Sequence, residues 1–226
     1  MIFGVDSSDP VNWSLIATVT GAIGKPAFWG RYLTGYSFSM SEAHMLAQHG
    51  IRLLPIYQGT TSHPGVLAGP VANGTADANA ALAAAKSLGV PSAKGIALYA
   101  DIEGSYTASA DWLSGWVAGI QGGGYVAGIY CGSDSTGIST AYAGISHDDR
   151  ASLLIWSNSP CYDVANHWSA AGMPATMGAS PMSAGGGVHT PDMWQYAIPV
   201  GADAQPVDLD VCTQRAFAAM WIPPTN

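Results

Sequence analysis

The chain has 226 residues, enough for one barrel-sized domain with a large core, and only 10% of them are charged, against the ~25% usual in soluble domains. Net charge is −8 with seven Lys and Arg in all, so no basic cluster exists to hold nucleic acid or to steer toward an anionic polymer. No apolar run approaches the ~18 residues of a membrane span. No span is expected, and the surface must be covered by Ser, Thr, Asn, Gln and Gly.

Strand-like and helix-like segments alternate along the chain. "IFGVDSS" (2–8) reads as a strand and "VNWSLIATVTG" as a helix. "AFWGRYLTG" (27–35) is the second strand. In "SMSEAHMLAQHG" Ser39 and Glu42 have capping-box spacing, and Gly50 stops the helix. "IRLLPIYQG" (51–59) is the third strand. "TADANAALAAAKSLGVP" follows, with Ala78, Ala81, Leu82, Ala85 and Leu88 on one helical face. "GIALYADIEG" (95–104) is the fourth strand, "ASADWLSGWVAGIQGGG" its helix, and "YVAGIYCGS" (125–133) the fifth strand.

A weaker segment, "STGISTAYAGIS", precedes the sixth strand, "ASLLIWSNS" (151–159). The Gly-, Ser-, Pro- and Ala-rich stretch 160–191 reads as a long surface loop. "DMWQYAI" (192–198) and "PVDLDVC" (206–212) are strands seven and eight, and "TQRAFAAMWI" is a closing helix. The sum is an α/β fold: a single-domain (β/α)8 TIM-type barrel over 1–226, with room for irregularity in the last units. Continuous Val, Ile, Leu and Tyr runs fit parallel strands covered on both faces. An open doubly wound sheet is the competing fold, disfavoured by the absence of a Gly-rich dinucleotide turn after the first strand.

In such a barrel, function sits at the C-terminal ends of the strands. The residues there are Asp6; Arg31 and Tyr32; Tyr57 and Gln58; Asp101 and Glu103; Tyr130; Trp156 and Asn158; Trp194, Gln195 and Tyr196; Asp208 and Asp210. Acids, amides and aromatics converging on one mouth have the make-up of a carbohydrate site. Asp101 and Glu103 point the same way, their α-carbons ~6.6 Å apart at ~3.3 Å per residue. An ionised Asp101 then disfavours ionisation of Glu103 and keeps it protonated as a general acid. Asp6 or Asp208 is placed to stabilise the oxocarbenium-like transition state or to position water.

Each residue also has an ordinary reading. Asp6 can cap the first helix region, in competition with Ser7, Ser8 and Asp9. Arg31 can simply pair with an acid, and the aromatics can be core. Asp6, Asp208 and Asp210 could bind a cation, but no EF-hand pattern supports this. His44, His49, His63, His147, His167 and His189 have no metal-ligand spacing, so neither metal nor cofactor is expected. Cys131, Cys161 and Cys212 contain no CxxC. An odd count leaves at least one thiol, although Cys131 and Cys161 follow neighbouring strands and suit a disulfide in an oxidising compartment.

The ordered set "FGVDSS", "WGRYLT", "GIRLLPIYQG", "GIALYADIEG", "GYVAGIYCG" and "WQY…VDLDV" resembles, over nearly the whole chain, a glycoside-hydrolase-like domain of bacterial cell-wall-associated and phage proteins. That domain is itself similar to Chalaropsis-type lysozymes, the family 25 glycoside hydrolases. The resemblance implies a muramidase-like barrel. Its strand-one Asp, strand-four DxE and late Asp match Asp6, Asp101, Glu103 and Asp208, with Glu103 the acid. It implies peptidoglycan, cut between N-acetylmuramic acid and N-acetylglucosamine, or a related polysaccharide, as substrate. Asp210 departs from the pattern, since the lysozymes usually carry Asn there.

Two functions follow as expectations: a metal-independent glycosidase, or a module that binds cell-wall glycan at the same mouth without cutting it. Substrate contacts are expected from Arg31, Tyr57, Gln58, Tyr130, Trp156, Trp194, Gln195, Tyr196 and Asp210. A monomer acting outside the cell or at the wall is expected, although the N-terminus "MIFGVDSS" shows no signal peptide.

Overall fold

The computed structural model describes residues 1–59, 67–92, 95–103, 108–132, 138–159, 161–178, 190–199 and 206–225. Its strands are β1 (Ile2–Asp6), β2 (Phe28–Tyr32), β3 (Arg52–Tyr57), β4 (Ala97–Ile102), β5 (Val126–Cys131), β6 (Leu154–Ser157), β7 (Tyr162–Asp163), β8 (Met193–Ile198) and β9 (Asp208–Cys212). The helices are α1 (Trp13–Ala22), α2 (Met40–Gln48), α3 (Val71–Ser87), α4 (Ala110–Gly122), α5 (Ile138–Gly144), α6 (His147–Ser152), α7 (Val164–His167) and α8 (Gln214–Ala218).

Strands β1 to β6 pair in sequence, all parallel, and β6 pairs parallel with β8. β9 then closes the ring between β8 and β1, antiparallel to both. An eight-stranded closed barrel results, with the two-residue β7 added outside β8. The irregularity allowed for the last units is this reversed strand. It matters for function, because the first residue of β9 lies beside the last residue of β1: Asp208 faces Asp6 across the ladder. Asp208 reaches the mouth as the start of a strand running the other way.

Two apolar clusters divide the molecule. Phe28, Leu54, Ile56, Tyr99, Leu154 and Met193 belong to the barrel interior. Val5, Trp29, Leu53, Leu98, Ile129 and Val211 belong to the shell between barrel and helices. Alternate residues of one strand enter different clusters, the period-2 rule acting on strands buried on both faces. Gly30 shows how tightly the interior is filled near the mouth: a Cβ there would stand 2.6 Å from Asp6 Cβ. Glycine at 30 leaves that space to the carboxylate.

Helix starts follow side-chain capping. Asn12 accepts from Leu15 N at 2.9 Å and caps α1, so the cap belongs to neither Asp6 nor its neighbours. Ser39 accepts from Glu42 N and Ser109 from Trp112 N. Glu42 does not complete the expected capping box; its Oε1 accepts from Val11 N at 3.1 Å and from Arg31. Ala216 of α8, with Ala219 and Met220 just past it, closes the N-terminal end of the barrel, and Trp221 exchanges two backbone hydrogen bonds with Leu53. The expected closing helix is thus only five residues long.

The segment expected as a surface loop over 160–191 is partly built. Residues 161–178 hold β7, α7 and a 3-10 turn at Ala170–Gly172, and Trp168, Met173 and Met177 pack against the shell. Residues 160 and 179–189 lie outside the described residues. No disulfide forms: Cys131, Cys161 and Cys212 are thiols, and Cys161 Sγ contacts the carbonyls of Asn158 and Gln195. Among the described residues no helix is long and apolar enough to cross a membrane.

Candidate active site

Strand parity decides which strand-end residues meet. Asp6 and Gly30 are register partners, as are Asp101 and Tyr130, Tyr130 and Trp156, and Gln195 and Asp210. Partners on adjacent strands point to the same face. Asp6, Asp101, Tyr130, Trp156, Gln195, Asp208 and Asp210 therefore face the barrel axis at its C-terminal end.

Below the mouth runs a hydrogen-bonded floor. Asn158 Nδ2 donates to Tyr130 Oη at 3.1 Å, and the Tyr130 hydroxyl donates to Gln195 Oε1 at 2.7 Å. Gln195 Nε2 then donates to Asp6 Oδ2 at 2.9 Å, and Trp156 Nε1 donates to Asp210 Oδ1 at 3.0 Å. Trp156 packs edge-on against Tyr99 and Tyr130, with centroids 5.8 and 4.8 Å apart. Tyr130 and Trp156 are buried. They hold acids in place and do not offer an open face to a sugar ring.

The acids are crowded enough to shift one another. Burial, opposed by hydrogen bonds from Gln195 and Asp210 and by the Arg31 charge, raises the Asp6 pKa. Burial first, then the charges of Glu103 and Asp6, push Asp101 well above the ordinary carboxylate range. Asp208 is pushed up to about 9 by burial, then by Asp6 and Glu103. Burial and Asp6 drive Asp210 well above its usual range. The expectation that Asp101 would act on Glu103 is reversed in one respect. Burial, the main cause of elevation, falls on Asp101 at 1% exposure, while Glu103 is exposed at the rim.

Four residues expected at the mouth stand on the other side of the barrel wall. Arg31 is fully buried under α2: Nε donates to Glu42 Oε1 at 2.5 Å, and Nη1 to the carbonyls of Ser7 and Ser8. It ties the β1–α1 loop to α2. Tyr57 stacks on Trp116 in the shell, centroids 6.0 Å apart. Trp194 and Tyr196 also face outward, with Tyr162 and His167 around a cleft of about 470 Å³. Gln58 and Asn158, each one residue beyond its strand, are half-buried at the mouth end.

Tyr32, absent from the expected contacts, belongs to the site. Burial and then the charges of Asp6, Asp101, Glu103 and Asp208 all raise its pKa, so its hydroxyl lies within electrostatic reach of the four acids. Tyr36, 58% exposed, meets it edge-on at 6.3 Å. The signal was available in the sequence: adjacent Arg31 and Tyr32 cannot share a face, so only one of them reaches the axis. Among the described residues no group of three or more His, Cys, Asp or Glu is arranged to hold a metal ion.

A closed barrel with an acid-lined mouth and a buried amide–aromatic floor is the frame of a glycoside-hydrolase-like domain. The chain belongs to the Rv2525c-like, glycoside hydrolase-like domain family, whose model matches residues 25–206. Its structure is similar to that of an uncharacterized B. stearothermophilus protein, 27% identical with a TM-score of 0.85 over 98% of this chain and 100% of that one. The Tat-secreted protein Rv2525c of Mycobacterium tuberculosis is 16% identical with a TM-score of 0.61, over 97% and 98% of the two chains. A bacterial lysozyme from Streptomyces coelicolor is 17% identical with a TM-score of 0.57, over 96% and 97%. These last two share the fold. No curated protein matches the chain.

Proposed function

We propose that the chain is a glycosidase of the muramidase type, acting on peptidoglycan or a related cell-wall polysaccharide. The observation that carries this reading is the mutual electrostatic reach of Asp6, Asp101, Glu103 and Asp208 at one mouth. Glu103, exposed at the rim, is the acid that protonates the glycosidic oxygen. As the C–O bond breaks, the Asp6 carboxylate stabilises positive charge on the sugar ring. Water then adds at the anomeric carbon, its proton is taken by a carboxylate of the cluster, and proton exchange with solvent returns Glu103 to its acid form and that carboxylate to its charged form. Tyr32 and Tyr36 offer the aromatic surface, and Gln58 and Asn158 the amides, beside this path. The Tat-secreted relative and the lysozyme and endolysin neighbours support an extracellular or wall-associated place for it; a monomeric state is part of the same proposal.

The test is release of reducing ends from purified cell walls by wild type and Glu103→Gln. Loss of the acid is expected to slow release by about 100-fold or more; equal rates would rule out the assignment. The upward shifts on Asp101 and Asp208 support a second reading, since neutral carboxyls donate hydrogen bonds to sugar hydroxyls. On that reading the mouth holds glycan without cutting it. Retention on insoluble peptidoglycan, unchanged by Glu103→Gln and with no new ends, would favour the binding module.

A further inference from the structure

Asp6 and Asp210 differ from the other acids of the mouth. Both are almost fully buried, at 3% and 0% exposure. They lie on adjacent antiparallel strands, where Asp6 is the partner of Asp208 and Asp210 the partner of Gly4, so they are diagonal neighbours on the inner face. Their side chains are in hydrogen-bond contact. Two carboxylates cannot make that contact without a proton between them.

The surrounding donors fix where that proton resides. Gln195 cannot turn its carbonyl toward Asp6, because its Oε1 already takes the Tyr130 hydroxyl hydrogen. Its amide group therefore donates to Asp6 Oδ2. Trp156 serves Asp210 Oδ1. Asp210 Oδ2 is buried and receives no hydrogen bond from a donor among the described residues. An oxygen so placed is satisfied as a hydroxyl that donates, and Asp6 is the acceptor in reach.

We infer that Asp210 is a positioning residue of this mouth: it carries a proton on Oδ2, donates it to Asp6, and holds Asp6 as the single aimed carboxylate of the pair. The inference rests on the glycosidase reading for its consequence, which is that a buried Asp6 keeps its charge and its direction toward the sugar. The groups facing the pair, among the described residues, are Tyr32 from β2, Asp101 from β4 with Glu103 beyond it, Tyr130 from β5, and Asp208 and Cys212 from β9. Tyr196 senses Asp210 through the wall, and Arg31 senses Asp6 from the shell. Arg31 is the one cation in this set; the tyrosines and Cys212 are held neutral by burial, and the neighbouring carboxylates, where ionised, oppose a second negative charge. Loss of the shared proton at alkaline pH puts two adjacent anions under the site and disables it.

The test uses the full chain with Asp210→Asn and Asp210→Ala. Asn presents Nδ2–H to Asp6 and its oxygen to Trp156, so it mimics the protonated state without being able to titrate. Ala removes both. In infrared difference spectra at neutral pH, wild type is expected to show one protonated-carboxyl C=O band more than Asp210→Asn. In wall hydrolysis, Asn is expected to restore roughly tenfold or more of what Ala loses, since a hydrogen bond to a buried charge is at stake. The alkaline decline of the wild-type profile is expected to move to higher pH in Asp210→Asn. Absence of the extra band, or equal activity of the Asn and Ala variants, overturns the inference. If wild type has no wall hydrolysis, the glycosidase reading fails while the infrared comparison still decides the shared proton. Should Ala not fold, the band and the Asn pH profile carry the test.

Discussion

The two sides of the barrel wall bury charge in opposite ways. On the outer side, Arg31 and Glu42 form an ion pair with both partners sealed from water, and the guanidinium also takes two backbone carbonyls. On the inner side, Asp6, Asp101 and Asp210 are as deeply buried, and Asp208 partly so. Arg31, across the wall, is the last of the four influences on Asp6. The outer charges are neutralised by each other; on the inner side burial raises the pKa of all four acids, and Asp6 is left as the carboxylate that its neighbours' protons serve. A fold has no structural need for acids in the second arrangement, since apolar side chains would fill that space at no desolvation cost. Their presence at the mouth is better explained by chemistry done there.

The comparison breaks most visibly at Arg31. Arg31→Met leaves Glu42 buried without its partner and strands the Ser7 and Ser8 carbonyls. A loss of about 3–5 kcal/mol in stability is expected from removing one member of a buried pair. Urea unfolding at neutral pH checks it. A variant as stable as wild type would mean that the ion pair is not structural and that Arg31 is available for another role.

Next in size is the pH dependence of the inner side. Asp208 has its pKa pushed up to about 9, against ~3.9 in an unfolded chain. Between these values the native state holds a proton that the unfolded state has released, so stability falls as pH rises. The contribution is fully present below the unfolded value and is lost as pH rises through the folded one. The raised Asp6, Asp101 and Asp210 act in the same direction. Wild type should therefore unfold at a lower temperature at pH 9 than at pH 5, and Asp208→Asn should narrow that gap. A wild type equally stable at both pH values would show that the inner acids are not held protonated.

Much of this arrangement was legible in the chain. Strands with punctuating Gly and Pro, and the acids at their ends, could be placed in order because turns and helix stops have local chemistry. The facing of each side chain was not legible in the same way. Strands buried on both sides read as continuous apolar runs, with no polar alternation to mark the axis. Trp194, Gln195 and Tyr196 were all expected at the mouth, yet three consecutive residues cannot share a face. Gln195 points in and its neighbours point out. The direction of β9 was hidden for another reason: the connection before it, rather than its own residues, decides whether it runs parallel. The built part of 161–178 escaped notice because single apolar side chains such as Trp168 and Met173 anchor it without periodicity.

The smallest expected effect sets one tyrosine of each side against the other. Tyr130 on the inner side gives its hydroxyl hydrogen to Gln195 and accepts from Asn158. Tyr196 on the outer side has a buried hydroxyl with no hydrogen-bond partner among the described residues. Removing a bonded buried hydroxyl leaves its partners unsatisfied, whereas removing an unbonded one relieves a desolvated group. Tyr130→Phe should therefore lose about 1 kcal/mol or somewhat more, and Tyr196→Phe should be neutral or slightly stabilising, both read from denaturant midpoints. Tyr130→Phe also frees Gln195 to present its carbonyl to Asp6, so its cost should include a slower wall reaction that Tyr196→Phe does not share. Equal behaviour of the two variants would mean that the inner floor is ordinary core packing, and the contrast between the two sides would lose its functional meaning.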